Sequence, residues 1–463
     1  MDKRLIEEKL PLREINTDGA YEAGFKIFRS YFDPKLRNIH TWFARRPAGV
    51  ARALTVAASL PLNINISDYK EIVGLTRVES AKEKKMPPLM FYVRPNCELL
   101  NDLLIKSFNK QSNNILVVDP MAGGGSIPLE SLRLGLKTIA MDYNPVAYLI
   151  LKATVEFPAK YADAGLFEET LKAAKEFIHK AREELGKFYG EDAENYIFAR
   201  GVKCPFCGGI LPIQGIDPVI TNANRFKRRY LKLTFDKKEK TFHVETVSSK
   251  TEKALKKTGN YITCPYCDKR FQLRGKAKTG LTGFDRWFRD HAEFMKQVVE
   301  EFAPIDSDME DKLLSLHIPL VKQVGNEFYP VWEDKREIKK FTDALHYLSN
   351  NLFELQQYIP SDDIPLENRW ASTAKNKGLE KWYMLFNPRQ LLTQAVLSKI
   401  VAETAENLAS KNGEFGAAVA LYLAFAVDKI VDYNTLATKW QGSGFKTGIG
   451  NTMRGESTLD FRL

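Results

Sequence analysis

The sequence predicts a mixed α/β protein whose core contains a doubly wound parallel sheet. Residues 115–118 form a short β-branched run, which is typical of a strand buried inside a parallel sheet. Residues 127–136 have helical spacing, and residues 137–141 are a second apolar run that ends at Asp142. Strand, helix and strand in this order form the repeating unit of a doubly wound sheet.

The 463-residue chain carries a net charge of +10 and has a sequence pI near 9.1. This excess favours an anionic partner such as nucleic acid, although solvated lysines produce the same balance. No apolar run reaches the ~20 residues that a membrane span requires. Charged residues follow Met1 where a secretory signal would be apolar. We therefore expect a cytoplasmic protein without membrane contact.

A glycine-rich loop, DPMAGGGS at residues 119–126, joins the first predicted strand to the helix. Three consecutive glycines allow a ligand to approach the backbone closely, and the helix N-terminus that follows offers free N–H groups. Asp142, at the end of the next strand, is placed to bind the two hydroxyls of a ribose. These features predict a nucleoside cofactor at the carboxyl edge of the sheet.

Two phosphate-binding motifs are excluded at this loop. The G-x-G-x-x-G fingerprint fails because Pro128 stands where the third glycine belongs, and no G-K-[ST] sequence follows. S-adenosylmethionine carries no phosphate, and the short acidic Asp119 before the glycines suits its cationic methionine end. We therefore favour S-adenosylmethionine. Another nucleoside cofactor and a purely structural glycine turn remain alternatives.

Four of the five cysteines form two C-P-[FY]-C pairs, which are Cys204 with Cys207 and Cys264 with Cys267. Each pair places two thiolates on one tight turn, and two such turns complete a tetrahedral zinc site. Four thiolates leave no open coordination position, so the predicted zinc is structural. Reduced cysteines in turns are the alternative, and Cys97 is expected to pack as a small apolar residue.

The segment between the cysteine pairs is strongly basic. Residues 224–258 contain twelve Lys or Arg against four Asp or Glu, and aromatic residues are interleaved with them. This pattern suits phosphate contact and base stacking, although a charged β-hairpin facing solvent would have the same composition. The candidate nucleic-acid contacts are Arg225, Lys227, Arg228, Arg229 and Lys232.

Several motifs together resemble a known family. IHTWFARRPAGVARA at residues 39–53 is similar to the I-H-x-W-W-A-R-R-P stretch of the DUF1156 family, whose members are described as adenine-specific DNA methylases containing a zinc ribbon. The loop DPMAGGGSIPLE also resembles the D-P-F-x-G-[GS]-G cofactor loop of amino-group DNA methyltransferases. MDYNP at 141–145 and the cysteine pairs follow in the family's order, and the resemblance spans most of the chain.

The resemblance implies roles for individual residues. The methionine end of S-adenosylmethionine would be lined by Asp119, Pro120, Met121, Ala122, Gly123 and Gly125. Asp142 would take the ribose hydroxyls, and Tyr143, Asn144 and Pro145 would shape the adenine slot. Beside the methionine moiety would pack His40, Trp42, Arg46 and Pro47. Core packing for Trp42 and Phe43, and surface salt bridges for Arg45 and Arg46, are the alternatives.

One expected motif is missing. Methylation of an exocyclic amine requires [DNS]-P-P-[YFW], whose polar groups bind the amine and whose aromatic ring stacks on a flipped base. No Asp-Pro or Asn-Pro dipeptide in this chain has a second proline, and the Pro87-Pro88 pair follows Met86. Residues 452–461 resemble the segment that precedes the tetrad. The tetrad is therefore expected on a partner subunit.

The predicted protein has a class I Rossmann-like methyltransferase core, an inserted zinc ribbon and a helical C-terminal region. Residues 1–160 would form the N-terminal helices and the cofactor-binding half of the core, and residues 161–200 a helical linker. Residues 201–275 would form the zinc ribbon, and residues 276–463 a mainly helical region for DNA and partner contacts. The predicted function is the S-adenosylmethionine-binding subunit of a split N6-adenine methyltransferase. This enzyme would act on double-stranded DNA and would need a partner subunit that supplies the tetrad.

Two other functions remain open. The chain is compatible with a non-catalytic zinc-ribbon subunit that binds nucleic acid in a defence or restriction complex. It is also compatible with a part of an RNA methyltransferase.

Overall fold

The computed structural model describes residues 3–22, 39–42, 44–75, 90–214, 219–221, 227–275, 280–365, 372–442 and 448–450. The chain divides into unit 1, Met1–Ala173 with Ala405–Ala426, and unit 2, Ala174–Thr404 with Val427–Leu463. Arg225 and the segment 452–461, both named in the sequence predictions, lie outside the described residues.

Unit 1 contains one small parallel sheet, several short helices, and residues 405–426 of a long helix. Its helices are α1 (Leu5–Glu8), α2 (Leu12–Glu22), α3 (Ala48–Ser59), α4 (Ile66–Val73), α5 (Cys97–Phe108), α6 (Ser126–Arg133), α7 (Pro145–Leu151) and α8 (Phe157–Tyr161), with a π-helical turn at Lys152–Glu156 and 3-10 turns at Met90–Tyr92, Ser112–Asn114 and Ala162–Ala164. Asn65 and Asn96 begin α4 and α5, because their side chains accept hydrogen bonds from backbone N–H groups of the first turn.

The predicted strand–helix–strand unit is confirmed. Strand β1 (Leu116–Asp119) pairs in parallel with β2 (Lys137–Ala140), with Val118 opposite Ile139, and α6 connects the two strands. Among the described strands, each of these two pairs only with the other. The observed fold is therefore a mixed α/β structure that contains one β–α–β unit.

One face of this small sheet is exposed and mainly apolar. Leu116, Val118 and Ile139 lie on it, and Val118 and Ile139 are 51% and 46% exposed. Lys137 lies on the same face, opposite Leu116. Parallel sheets occur almost only with both faces covered. A groove also runs along β1, where Leu54, Ala58 and Phe108 face residues 115–117. In the described part of the chain, this sheet has both an uncovered face and an uncovered side.

A buried ion pair joins two helices of unit 1. Arg52 on α3 donates through Nε to Glu130 on α6 at 2.6 Å, and both side chains are 0% exposed. Arg52 Nη1 also donates to the carbonyl oxygens of Val73, Met90 and Val93. The pair therefore connects α3, α6 and the segment around Met90–Tyr92 inside an apolar cluster of α1, α3, α4 and α5.

Unit 2 contains a four-stranded sheet in the order β12-β11-β3-β4, a three-stranded sheet β5-β6-β7, a three-stranded sheet β10-β9-β8 and the pair β13-β14. The strands are β3 (Asn195–Lys203), β4 (Ile210–Ile213), β5 (Val219–Thr221), β6 (Arg229–Asp236), β7 (Thr241–Val247), β8 (Lys257–Thr258), β9 (Tyr261–Thr263), β10 (Arg270–Gln272), β11 (His317–Val324), β12 (Glu327–Pro330), β13 (Lys439–Gln441) and β14 (Gly448–Gly450).

The helices of this part of the chain are α9 (Leu166–Leu185), α10 (Gly283–Val299), α11 (Ser307–Leu316), α12 (Lys335–Asn350), α13 (Leu352–Leu355), α14 (Ser372–Lys375) and α15 (Pro388–Val431), with 3-10 turns at Gly186–Phe188, Gln356–Tyr358 and Trp382–Leu385. Gly413 interrupts α15 with φ 55° and ψ −133°. Both α9 and α15 have residues in each of the two units.

Two predicted helical stretches contain strands. Residues 161–200 were expected to be a helical linker, but α9 ends at Leu185 and β3 begins at Asn195. Within the mainly helical region, β11 and β12 form an antiparallel hairpin, and β11 pairs with β3. Residues 317–321 are all buried. A short, continuously buried run fits a helix as well as a strand in the sequence, and here it forms a strand because it pairs with the distant strand β3.

Among the described residues, no helix is both long enough and apolar enough to cross a bilayer.

Replacing Arg52 by methionine should destabilise unit 1 by about 3–5 kcal/mol, because one partner of a buried ion pair and its carbonyl bonds are lost. Amide hydrogen exchange over residues 48–59 and 126–133 measures this change directly. The control is Arg94→Met, since Arg94 is exposed. Unchanged protection of both segments in Arg52→Met would contradict the structural role assigned to the pair.

Candidate functional site

The glycine loop lies where β1 ends and α6 begins. Ala122 N–H donates to the Met141 carbonyl at 2.9 Å, and Met141 N–H donates to the Asp119 carbonyl at 2.9 Å. These bonds hold the loop against the end of β2. Gly123 and Gly125 have φ of +51° and +80°, a region that favours glycine. The backbone conformation therefore explains two of the three consecutive glycines.

Two side chains from the segment before α3 cover the loop. A Cβ added to Gly123 would lie 2.5 Å from Trp42 Nε1, and one added to Gly124 would lie 2.9 Å from Arg45 Nε. The Ser126 hydroxyl donates to the Arg46 carbonyl oxygen at 2.6 Å, which joins this segment to the start of α6. The third glycine is therefore explained by close approach of the Arg45 guanidinium.

Asp142 is part of the same loop structure. One carboxylate oxygen accepts from Gly123 N–H at 2.8 Å, and the other accepts from Asn144 N–H at 2.8 Å. Asn144 in turn caps α7 by accepting from Val146 N–H, and Pro145 occupies the first helical position. A carboxylate has about four acceptor positions, so both oxygens of Asp142 keep capacity for further donors.

The other predicted cofactor residues differ in their surroundings. Trp42 packs in an apolar cluster with Ile150, Ala153 and Phe425, and the His40 ring lies 5.1 Å from that of Phe425. Ala122 is buried in a cluster with Leu151 and Val155. The side chains of Arg46, Pro120, Met121, Tyr143 and Pro145 are exposed, and Pro47 and Asp119 are half-buried. The carboxylate of Asp119 accepts a hydrogen bond from Met121 N–H at 3.3 Å.

Three charged residues of unit 1, Asp18, Glu22 and Arg45, are not among the predicted site residues. Glu22 accepts from the N–H of Gly49 at 2.9 Å and from that of Ala48, so it stabilises the start of α3. Burial raises the pKa of Glu22 to about 7 and that of Asp18 to about 6. Burial also lowers the pKa of Arg45, and the charge of Glu22 opposes this effect. Spacing along the sequence does not identify these residues, because their burial depends on tertiary contacts.

The four-cysteine cluster forms as predicted. The Sγ atoms of Cys204, Cys207, Cys264 and Cys267 all lie within 4.8 Å of one another. Each knuckle has the same backbone bonds: Gly208 N–H donates to Cys204 O, and Asp268 N–H donates to Cys264 O, both at 3.0 Å. Four thiolates at this separation can hold a metal ion such as zinc, and they would fill a tetrahedral shell.

The basic hairpin β6–β7 places its charges beside acidic residues. Lys227 and Arg229 both pair with Glu327, the former at 2.8 Å, and Lys232 pairs with Glu245 at 2.7 Å. The carbonyl oxygen of Arg228 accepts a hydrogen bond from Arg229 Nη1 at 3.1 Å. Lys227 is 72% exposed, so its ion pair remains open to solvent. The predicted nucleic-acid contacts are thus partly neutralised within the protein.

Sequence spacing does not reveal a pair of buried histidines, because its members are 26 residues apart. His317 Nε2 lies 3.0 Å from His291 Nδ1, and His291 Nε2 lies 2.9 Å from the Met384 carbonyl oxygen. Burial lowers the pKa of His291 to about 4, with Arg200 adding to the effect. The rings pack with Trp287 in the core of unit 2. This surrounding gives the neutral pair a structural role.

Wild-type protein purified without chelator should contain about one zinc ion per chain, since four thiolates complete one site. Cys207→Ser and Cys264→Ser should each lose the metal, as measured by elemental analysis. Cys97→Ser is the matched control, because Cys97 lies outside the cluster and bonds to Arg133 O instead. Wild-type levels of zinc in both cluster variants would show that the metal binds elsewhere.

No protein-family model, curated protein or solved structure matches this chain. The functional proposal is therefore based on the glycine loop, on the four-cysteine cluster, and on the resemblance of the sequence motifs to the DUF1156 family.

Proposed function

We propose that the chain is the S-adenosylmethionine-binding subunit of a split amino-group DNA methyltransferase, with adenine N6 as the target. The observation that carries this proposal is the arrangement at the carboxyl ends of β1 and β2. There, a three-glycine loop is bonded directly to the Asp142 carboxylate at 2.8 Å and is covered by Trp42 and Arg45. Ligands of doubly wound sheets bind at this edge, and the fold proposed for the complete core is Rossmann-like.

The residues present fit the cofactor by their chemistry. Asp142 keeps acceptor capacity for the two ribose hydroxyls, and its bonds to Gly123 and Asn144 fix its position. Asp119 is half-buried and has one modest bond, so its carboxylate is available to the ammonium of the methionine moiety. The exposed Tyr143 and Pro145 border the side on which an adenine would lie. When bound, S-adenosylmethionine supplies an activated methyl group.

This chain's own residues bind and orient the cofactor, whereas the tetrad that holds the target amine is not in the sequence. Transfer to an exocyclic amine depends on positioning and on electrostatic stabilisation of the amine. The loop and Asp142 would fix the methyl donor, and the partner would present the flipped base. Neither part alone is then expected to methylate DNA.

The exposed sheet supports a partner that completes the core. Leu116, Val118 and Ile139 leave apolar area in water on one face, and the groove along β1 has room beside the edge of β1 that pairs with none of the described strands. Exposed strand edges readily pair with another chain. We propose that strands from the partner subunit extend this sheet from β1 and that its helices cover the apolar face.

The four-cysteine cluster and the basic hairpin favour a second candidate, a nucleic-acid-binding subunit without methyl transfer. Zinc ribbons need no cofactor to bind nucleic acid, and the net charge of +10 suits either function. S-adenosylmethionine binding separates the two candidates. Comparison of DNA with RNA as methyl acceptor separates the proposed enzyme from an RNA methyltransferase.

Asp142→Ala should weaken S-adenosylmethionine binding by at least about 1–3 kcal/mol, because buried polar partners lose their acceptor. Calorimetry on the chain alone and on the chain co-purified with the products of adjacent reading frames measures this. Asp102→Ala is the control, since Asp102 is exposed on α5. Unchanged affinity in Asp142→Ala would remove this residue from the site. Absence of binding by every wild-type preparation would favour the second candidate.

Val118→Lys should prevent stable association with the partner, because it places a charge in the centre of the apolar face. Co-purification of the two subunits provides the measurement. Phe353→Lys is the matched control, since Phe353 is 90% exposed and lies on α13 of unit 2. Equal recovery of the partner with both variants would contradict the proposed interface.

A further inference from the structure

The position of Arg45 is unusual for an arginine. Its guanidinium lies against the backbone of Gly124, where an added Cβ would be 2.9 Å from Nε and 3.0 Å from Cζ. Any larger residue at position 124 would displace this side chain from the loop. Arg45 therefore depends on the glycine beneath it, in the centre of the proposed cofactor site.

Two donors of this guanidinium are buried without a hydrogen-bond partner among the described residues. They are Nε and Nη2, each with less than 1 Å² of accessible surface. Burial of unpaired charged donors is unfavourable, and native structures contain few of them. Nε and Nη2 lie on the same edge of the guanidinium. This edge can bind one carboxylate through two parallel hydrogen bonds.

Two buried acids of unit 1 do not bond to this guanidinium. Glu22 is the acidic residue whose charge acts on Arg45, but both of its oxygens accept from N–H groups at the start of α3. Asp18 accepts from Met90 N–H through Oδ1, and its Oδ2 has no hydrogen-bond partner. Neither acid bonds to Arg45, so the Nε–Nη2 edge of the guanidinium has no acceptor among the described residues.

We propose that Arg45 binds the α-carboxylate of the methionine moiety of S-adenosylmethionine through Nε and Nη2. This inference rests on the proposed function and adds a specificity residue to it. Asp119 and Arg45 then complement the ammonium and the carboxylate of one zwitterion. The sequence resemblance assigns the neighbouring Arg46 to the cofactor, but the side chain of Arg46 is exposed, and its carbonyl oxygen is the atom that contacts Ser126.

Two ligands that differ at the amino-acid end test this assignment. S-adenosylhomocysteine keeps the carboxylate, whereas 5′-methylthioadenosine has the same adenine, ribose and thioether but no amino acid. With the co-purified wild-type complex, calorimetry should show markedly tighter binding of S-adenosylhomocysteine. Arg45→Met should weaken S-adenosylhomocysteine by about 10–100-fold and leave 5′-methylthioadenosine within about twofold, as loss of a charged bidentate bond predicts.

Arg45→Lys keeps the charge without the fork and should weaken only S-adenosylhomocysteine, by less than Arg45→Met. It also provides the test if Arg45→Met does not fold. Arg94→Met is the matched control, since Arg94 is an exposed arginine of unit 1, and it should bind both ligands as the wild type does. Equal affinity of wild type and Arg45→Met for S-adenosylhomocysteine, or equal loss of both ligands in Arg45→Lys, would overturn the assignment. If wild type binds neither ligand, the proposed function itself fails.

Discussion

The Arg52–Glu130 ion pair is the interaction on which the geometry of unit 1 depends. Both side chains are fully buried, and their atoms are 2.6 Å apart. Arg52 lies one turn into the helix that follows Pro47, and Glu130 lies one turn into the helix that follows Gly125. The pair thereby holds the segment with Trp42 and Arg45 against the glycine loop. An isolated charge at either position would be strongly unfavourable, so the two helices are constrained to stay together.

The constraint set by this ion pair also positions the groups of the proposed cofactor site. The loop presents backbone at Gly123 and Gly124 to two side chains, and Asp142 joins the loop to the end of the second strand. This arrangement contains groups suited to a ribose, an ammonium and a carboxylate, whereas the tetrad that would hold a target amine does not occur in the sequence. We therefore propose that different polypeptides bind the methyl donor and the acceptor, and that they meet at the exposed face of the sheet.

The four-cysteine cluster follows a different physical rule. Its two knuckles are separated by 56 residues, and each is organised locally by equivalent backbone bonds. Metal binding would add a constraint that closes this long connection. The hairpin β6–β7 in that connection uses Lys227 and Arg229 to pair with Glu327, so part of its charge stabilises the protein itself. A basic composition alone does not reveal this division.

Local chemistry allowed the sequence by itself to determine the β–α–β unit, the glycine loop and the four cysteine ligands. Positive φ values, a C-x-x-C turn and an apolar run each depend on residues close together in the chain. Only the tertiary structure decided that Arg45 rather than Arg46 lies on the loop, that Glu22 and Asp18 are buried, and that residues 317–324 pair with β3. These outcomes depend on burial and on partners distant in sequence, because the free energy of a charge or a strand edge is set by what surrounds it.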